Sequence, residues 1–106
     1  MSIYDLTPEE LIKQKELCQK DIWDKNSDLA FKQRQIKGVE TNLILKTDFK
    51  ALGYTNEKQR TAFVEDQVHG LKTEVDLIKQ ELQLHKDHLT IINDLLKLRM
   101  EEVKTE

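Results

Sequence analysis

The chain has 106 residues, of which 38% are hydrophobic and 35% are charged, and its net charge is −3. This composition excludes a large globular core, and 20 acidic against 17 basic side chains do not give the electrostatic footprint of a dedicated DNA- or RNA-binding protein. One proline and three glycines leave few places for turns, so the sequence predicts a few long helices in a single domain over residues 1–106.

The first helix is predicted from about residue 8 to about residue 46. Thr7, Pro8 and Glu10 form a start signal, because threonine can cap the helix, proline suits its first position and glutamate completes a capping box. An apolar stripe follows at spacings of three, four or seven residues. Its members are Leu11, Cys18, Ile22, Leu29, Ile36, Val39 and Leu43, and it is interrupted by Lys15, Lys25 and Lys32.

The connector is predicted over about residues 47–55. Thr47 or Asp48 can cap a single helical turn that Gly53 ends, and Asn56 with Gln59 makes a second capping box that opens the next helix. Residues 46–60 carry more basic than acidic side chains and also two aromatic ones, which predicts a partner-binding tip. The residues of this tip are Phe49, Lys50, Tyr54, Lys58 and Arg60.

Two other interpretations of the connector are open. Basic side chains interleaved with aromatic ones can hold a single-stranded nucleic acid. Alternatively, Phe49 and Leu52 close the end of the molecule while the lysines are only solvated.

The second helix is predicted over about residues 56–104, and its apolar spacing alternates steps of four and three. A strict seven-residue repeat of this kind imposes a left-handed supercoil with a partner helix. We therefore predict an all-α fold, a long antiparallel coiled-coil helical hairpin. The positions of this seam are Val64, Val68, Leu71, Val75, Ile78, Leu82, His85, Leu89, Ile92, Leu96, Arg99 and Val103.

A second apolar stripe on the same helix predicts self-association. A two-helix hairpin covers one seam, and an open apolar strip of this length is unusual in a soluble monomer. The simplest expectation is a homodimer that forms a four-helix bundle over residues 75–103, through Leu77, Leu84, Ile91, Leu95 and Leu98. The alternative is that Ile12 and Trp23 of the first helix cover this stripe within one chain.

Few residues suggest catalysis or metal binding. Glu81, His85 and His88 have helical spacing for a metal site, but such sites need carboxylates from other helices, and His85 is a seam position. Cys18 lies on an apolar stripe, as a small hydrophobic residue would. We therefore expect a protein that is not an enzyme and that has no cofactor and no metal. Trp23 and Phe31 are expected either as outward-facing partner contacts or as residues buried against a second hairpin.

Two stretches of the connector carry a resemblance to a known group of proteins. Residues 47–53, Thr-Asp-Phe-Lys-Ala-Leu-Gly, and 55–62, Thr-Asn-Glu-Lys-Gln-Arg-Thr-Ala, resemble a segment of small helical early proteins of bacteriophages that infect Gram-positive bacteria. The resemblance implies a phage-encoded adaptor or inhibitor that acts on a host DNA-metabolism or defence protein. It implies no catalytic or ligand residue.

The leading functional prediction is thus a non-catalytic protein–protein interaction module. A single-stranded nucleic-acid-binding accessory protein for replication or recombination and a purely structural coiled-coil scaffold are the alternatives. We expect the protein to be cytoplasmic, in the host cytoplasm if it is phage-encoded. The amino terminus lacks the features of a signal peptide, no apolar run is long enough for a membrane, and the single cysteine cannot form an intrachain disulfide.

Overall fold

The computed structural model describes residues 2–105, with the side chains of residues 2–102. A short 3-10 turn at Ile3–Asp5 precedes helix α1, Pro8–Lys46, and helix α2 covers Glu57–Thr105. Helix α1 has the predicted bounds, and α2 begins and ends one residue later than predicted. No strand occurs among the described residues, so the predicted all-α helical hairpin is confirmed. The four-helix bundle stays a prediction, and the side chain of the seam residue Val103 lies outside the described ones.

The capping box predicted at α1 forms, and the one predicted at α2 forms with its return bond shifted by one residue, from Asn56 to Thr55. At the start of α1 the Glu10 amide donates to the Thr7 hydroxyl at 3.2 Å, and the Thr7 amide donates to the Glu10 carboxylate at 3.3 Å. At the start of α2 the Gln59 amide donates to the Asn56 side-chain oxygen at 2.9 Å, and the Gln59 side chain accepts from the Thr55 amide at 3.0 Å. These bonds satisfy amides that a helix start leaves without intrahelical acceptors, and so they define where each helix begins.

The chain divides into two compact units. The first unit is Met1–Ser27 with Gln80–Glu106, and the second is Asp28–Lys79, so each contains a stretch of both helices. The single-domain assignment stays a prediction.

In the first unit the predicted seam is the buried face. Contacts run from Tyr4 to Arg99, from Cys18 to His85 and from Lys25 to Glu81, so residue numbers rise along α1 as they fall along α2 and the helices are antiparallel. The Arg99 guanidinium donates to the Tyr4 carbonyl at 2.8 Å, and the Cys18 thiol donates to the His85 carbonyl at 3.1 Å. The buried side chains between the helices are Leu11, Cys18, Leu82 and Ile92.

In the second unit the core is a cluster of seam residues from both helices. Ile36, Val68 and Val75 are buried together, and the residues that pack against them are Leu29, Val39, Leu43 and Leu71. Val68 and Val75 are one heptad apart on α2, as the predicted repeat requires.

The three lysines of α1 occupy seam positions. Lys15, Lys25 and Lys32 are half-buried, and Lys32 forms an ion pair with Glu74 at 2.8 Å within the second unit. Their aliphatic stems can cover the seam while their charged ends reach the solvent edge. The lysines therefore occupy heptad positions of the seam and do not interrupt it.

Candidate functional site

The predicted tip lies in the second unit, where its two aromatic residues are half-buried against a third ring. Phe63, in the second turn of α2, meets Phe49 edge-to-face with centroids 5.9 Å apart, and meets Tyr54 at 5.5 Å. These are favourable aromatic geometries that hold the connector against α2. Phe49 thus contributes to closing the second unit, whereas Leu52, its expected companion, is 51% exposed.

The connector is ordered by its own hydrogen bonds. The Asp48 carboxylate accepts from the Ala51 amide at 3.1 Å, and the Phe49 carbonyl accepts from the Tyr54 amide at 2.8 Å. Gly53 has φ of +79°, which lies in the left-handed region that other residues rarely adopt. As predicted, this glycine ends the short turn.

The exposed surface of the connector region is basic and apolar. Lys50, Lys58 and Arg60 are exposed. Leu45 is 76% exposed and Leu52 is 51% exposed, and neither is among the predicted interface residues. The second unit also has a groove of about 560 Å³, lined by Ile44, Phe49, Arg60, Val64 and Lys72 together with Glu40, Glu57, Thr61 and Glu65.

The two outer aromatic residues are exposed. Trp23 of the first unit is 70% exposed and Phe31 of the second is 60% exposed. Neither is part of its unit's core.

The second apolar stripe of α2 is largely uncovered in the described chain. Leu77 in the second unit is 53% exposed, and in the first unit Leu84 is 69%, Ile91 40% and Leu98 54% exposed, with Leu95 half-buried. Ile12 and Trp23, the residues considered as an intrachain cover, are themselves 49% and 70% exposed. Helix α1 therefore does not cover this stripe.

The groups considered for chemistry have structural partners. Burial, with a smaller effect of the Asp21 carboxylate, raises the pKa of the Cys18 thiol. The Lys25 ammonium bonds to Glu81 and holds the pKa of that carboxyl below its ordinary value. Among the described residues no group of three or more His, Cys, Asp or Glu is placed to hold a metal ion.

Neither helix, over the part of the chain that is described, has a segment both long and apolar enough to cross a membrane.

Comparison with known proteins finds no match among family models, curated proteins or solved structures. The resemblance to phage early proteins therefore stays a prediction.

Proposed function

We propose that this chain is a non-catalytic interaction module that binds another protein through its tip. The carrying observation is the exposure of Leu45 and Leu52 in a region that also exposes Lys50 and Lys58. Exposed leucines close together in sequence at a connector are candidates for burial by a partner, since exposed apolar patches rimmed by polar residues mark interaction sites.

The chemistry of the tip defines the partner that it fits. Two exposed leucines require an apolar depression, and the neighbouring lysines favour acidic side chains around that depression. The connector is already held by Asp48, Gly53 and the ring contacts of Phe63, so binding orders little additional backbone. Pre-organisation of this kind lowers the entropic cost of association.

The same geometry makes a nucleic acid a poorer partner. Binding of single strands relies on open aromatic faces on which bases stack. Phe49 and Tyr54 are half-buried against Phe63, which reduces the ring surface that a base can reach.

Site-specific photo-cross-linking tests the proposal. A photoreactive amino acid at Leu52 should give one predominant protein adduct in cells, while the same group at the exposed Asn93 of the first unit should not. The adduct should disappear when Lys50→Glu and Lys58→Glu are combined and should persist in the matched variant Lys86→Glu. The phage resemblance makes a Gram-positive bacterium the first host to use.

Two results would contradict the proposal. The first is that no adduct forms at Leu52, or that the adduct still forms when Lys50→Glu and Lys58→Glu are combined. The other is tight binding of labelled single-stranded DNA that weakens steeply with salt and is lost in the same double variant, since this would assign the tip to nucleic acid.

A further inference from the structure

The part of the apolar stripe that lies in the first unit forms a continuous surface on α2. We call Leu84, Ile91, Leu95 and Leu98 the first-unit stripe. Leu84, Ile91 and Leu98 are spaced by seven residues, so they lie along one side of the helix over roughly 21 Å. Leu84 and Leu98 keep more than half of their surface in water. An occupant of this stripe needs apolar side chains along about four helical turns.

One border of the first-unit stripe is acidic. Asp87 and Asp94 each follow a stripe residue by three positions and line this border. The other border, four positions after a stripe residue, contains His88 and Glu102, and Glu102 is paired with Arg99 at 3.4 Å. All four border side chains are exposed.

Two seam cations of the first unit, Lys25 and Arg99, already have partners, Lys25 with Glu81 and Arg99 with Glu102. A groove on the opposite side of the first unit is lined by Ile12 and Gln19 of α1 and by Asn93 and Met100 of α2. These sides of the two helices therefore lie next to each other. By heptad register, the side of α1 that continues the stripe's face then presents Gln14, Leu17, Asp21 and Asp24. Leu17 is the one apolar member of these four, and it is 52% exposed.

A second copy of the chain is therefore a poor fit to the stripe. Packing two such faces together would bring the carboxylates of Asp21, Asp24, Asp87 and Asp94 from both copies into one interface. Like charges that face each other are destabilising, and taking carboxylates out of water without a cation is unfavourable. Electrostatic complementarity favours an occupant with basic residues facing Asp87 and Asp94.

We infer that the first-unit stripe is the docking surface for an amphipathic helix of another protein, one that carries lysine or arginine beside its apolar positions, facing Asp87 and Asp94. Helices bind in this way by laying apolar residues at regular spacing into a matching surface. The charges on the borders then select the partner and speed its approach. This site is independent of the tip, because its residues belong to the first unit and those of the tip to the second.

The probe for the test is a synthetic amphipathic helical peptide of about five turns, with leucines at seven-residue spacing and lysines beside them. A matched peptide carries glutamate in place of lysine. Fluorescence anisotropy should show that the full-length protein binds the basic peptide and not the acidic one. Leu84→Lys with Ile91→Lys should weaken binding more than tenfold, because it removes two apolar contacts from the stripe and places two cations there.

A second variant tests the charge argument without touching the apolar residues. Asp87→Lys with Asp94→Lys should weaken binding of the basic peptide by about tenfold and allow the acidic peptide to bind. Far-UV circular dichroism checks that each variant keeps its helices. The tip variant Lys50→Glu with Lys58→Glu should bind the basic peptide as the wild type does. The stripe inference can therefore be refuted without refuting the proposed function of the tip, and the reverse also holds.

Three outcomes would overturn the inference. They are equal binding of the two peptides, no binding of either, and light scattering that finds a dimer which Leu84→Lys with Ile91→Lys makes monomeric. The last outcome would show that a second copy occupies the stripe.

Discussion

Two adjacent isoleucines of α2 offer the sharpest test of which face is buried. Ile92 is fully buried in the seam of the first unit, whereas Ile91 is 40% exposed on the stripe. Replacing either by alanine removes the same three carbon atoms and changes helix propensity by the same amount. The difference between the two variants therefore measures burial alone.

The expected costs follow from that burial. Three buried carbon atoms are worth about 2.5 kcal/mol of transfer free energy, and the cavity left behind brings the cost of Ile92→Ala to about 3 kcal/mol. Ile91→Ala should cost about 1 kcal/mol, because much of its side chain is already in water. For a chain of this size a difference of about 2 kcal/mol corresponds to roughly 8–16 °C in Tm.

Urea denaturation followed by circular dichroism gives the two free energies of unfolding. It should be run at two protein concentrations, since a cost that depends on concentration reports association rather than intrachain packing. Equal costs for the two variants would refute the assignment of Ile92 to the seam and Ile91 to an open surface.

Further expectations concern the connector and two titratable groups. Gly53→Ala should destabilise the protein by about 1 kcal/mol in the same urea assay, because the φ of Gly53 is +79°. Gly70→Ala inside α2 should stabilise it by about 0.5–1 kcal/mol, because a Cβ there meets nothing within 4 Å. Because Lys25 lowers the pKa of Glu81, the pair stabilises the fold above the ordinary glutamate pKa and loses that effect as pH falls through the lowered value. Glu81→Gln should then reduce Tm at neutral pH and not at about pH 2. A gap in Tm between wild type and variant that widens as the pH falls would contradict this prediction. Since burial raises the pKa of the Cys18 thiol, Ellman's reagent should modify it far more slowly in the folded protein than in urea, and equal rates would show that the thiol is open to solvent.

The fold was largely predictable because a heptad pattern is a local property of the sequence. Val64, Val68, Val75, Leu82 and Ile92 were all assigned to the seam, and all are buried. The weaker prediction concerned the lysines of α1, which were treated as interruptions. Counting them as seam positions makes the spacing from residue 11 to residue 43 alternate regularly between four and three, so the signal was present but masked by charge.

The candidate site was less predictable, because it depends on which side chains meet across the connector. Phe63 precedes a seam residue on α2, and nothing in its local spacing indicates that it contacts both Phe49 and Tyr54. The exposure of Leu45 and Leu52 likewise follows from the path of the chain between the helices. The acidic border of the first-unit stripe, by contrast, can be read from the sequence once the stripe itself is placed on one helix.

The self-contained connector also bears on how the chain folds. Its hydrogen bonds from Ala51 to Asp48 and from Gln59 to Asn56 each span three residues, and the Phe49–Phe63 contact closes a short loop. Short loops lose the least entropy on closure, so these contacts can form before any others that join the two helices. Once this loop is closed, each later seam pair brings only a few more residues together and so costs little further loop entropy. Substitutions in the connector should thus change mainly the rate of folding, and substitutions in seam pairs that close late should change mainly the rate of unfolding.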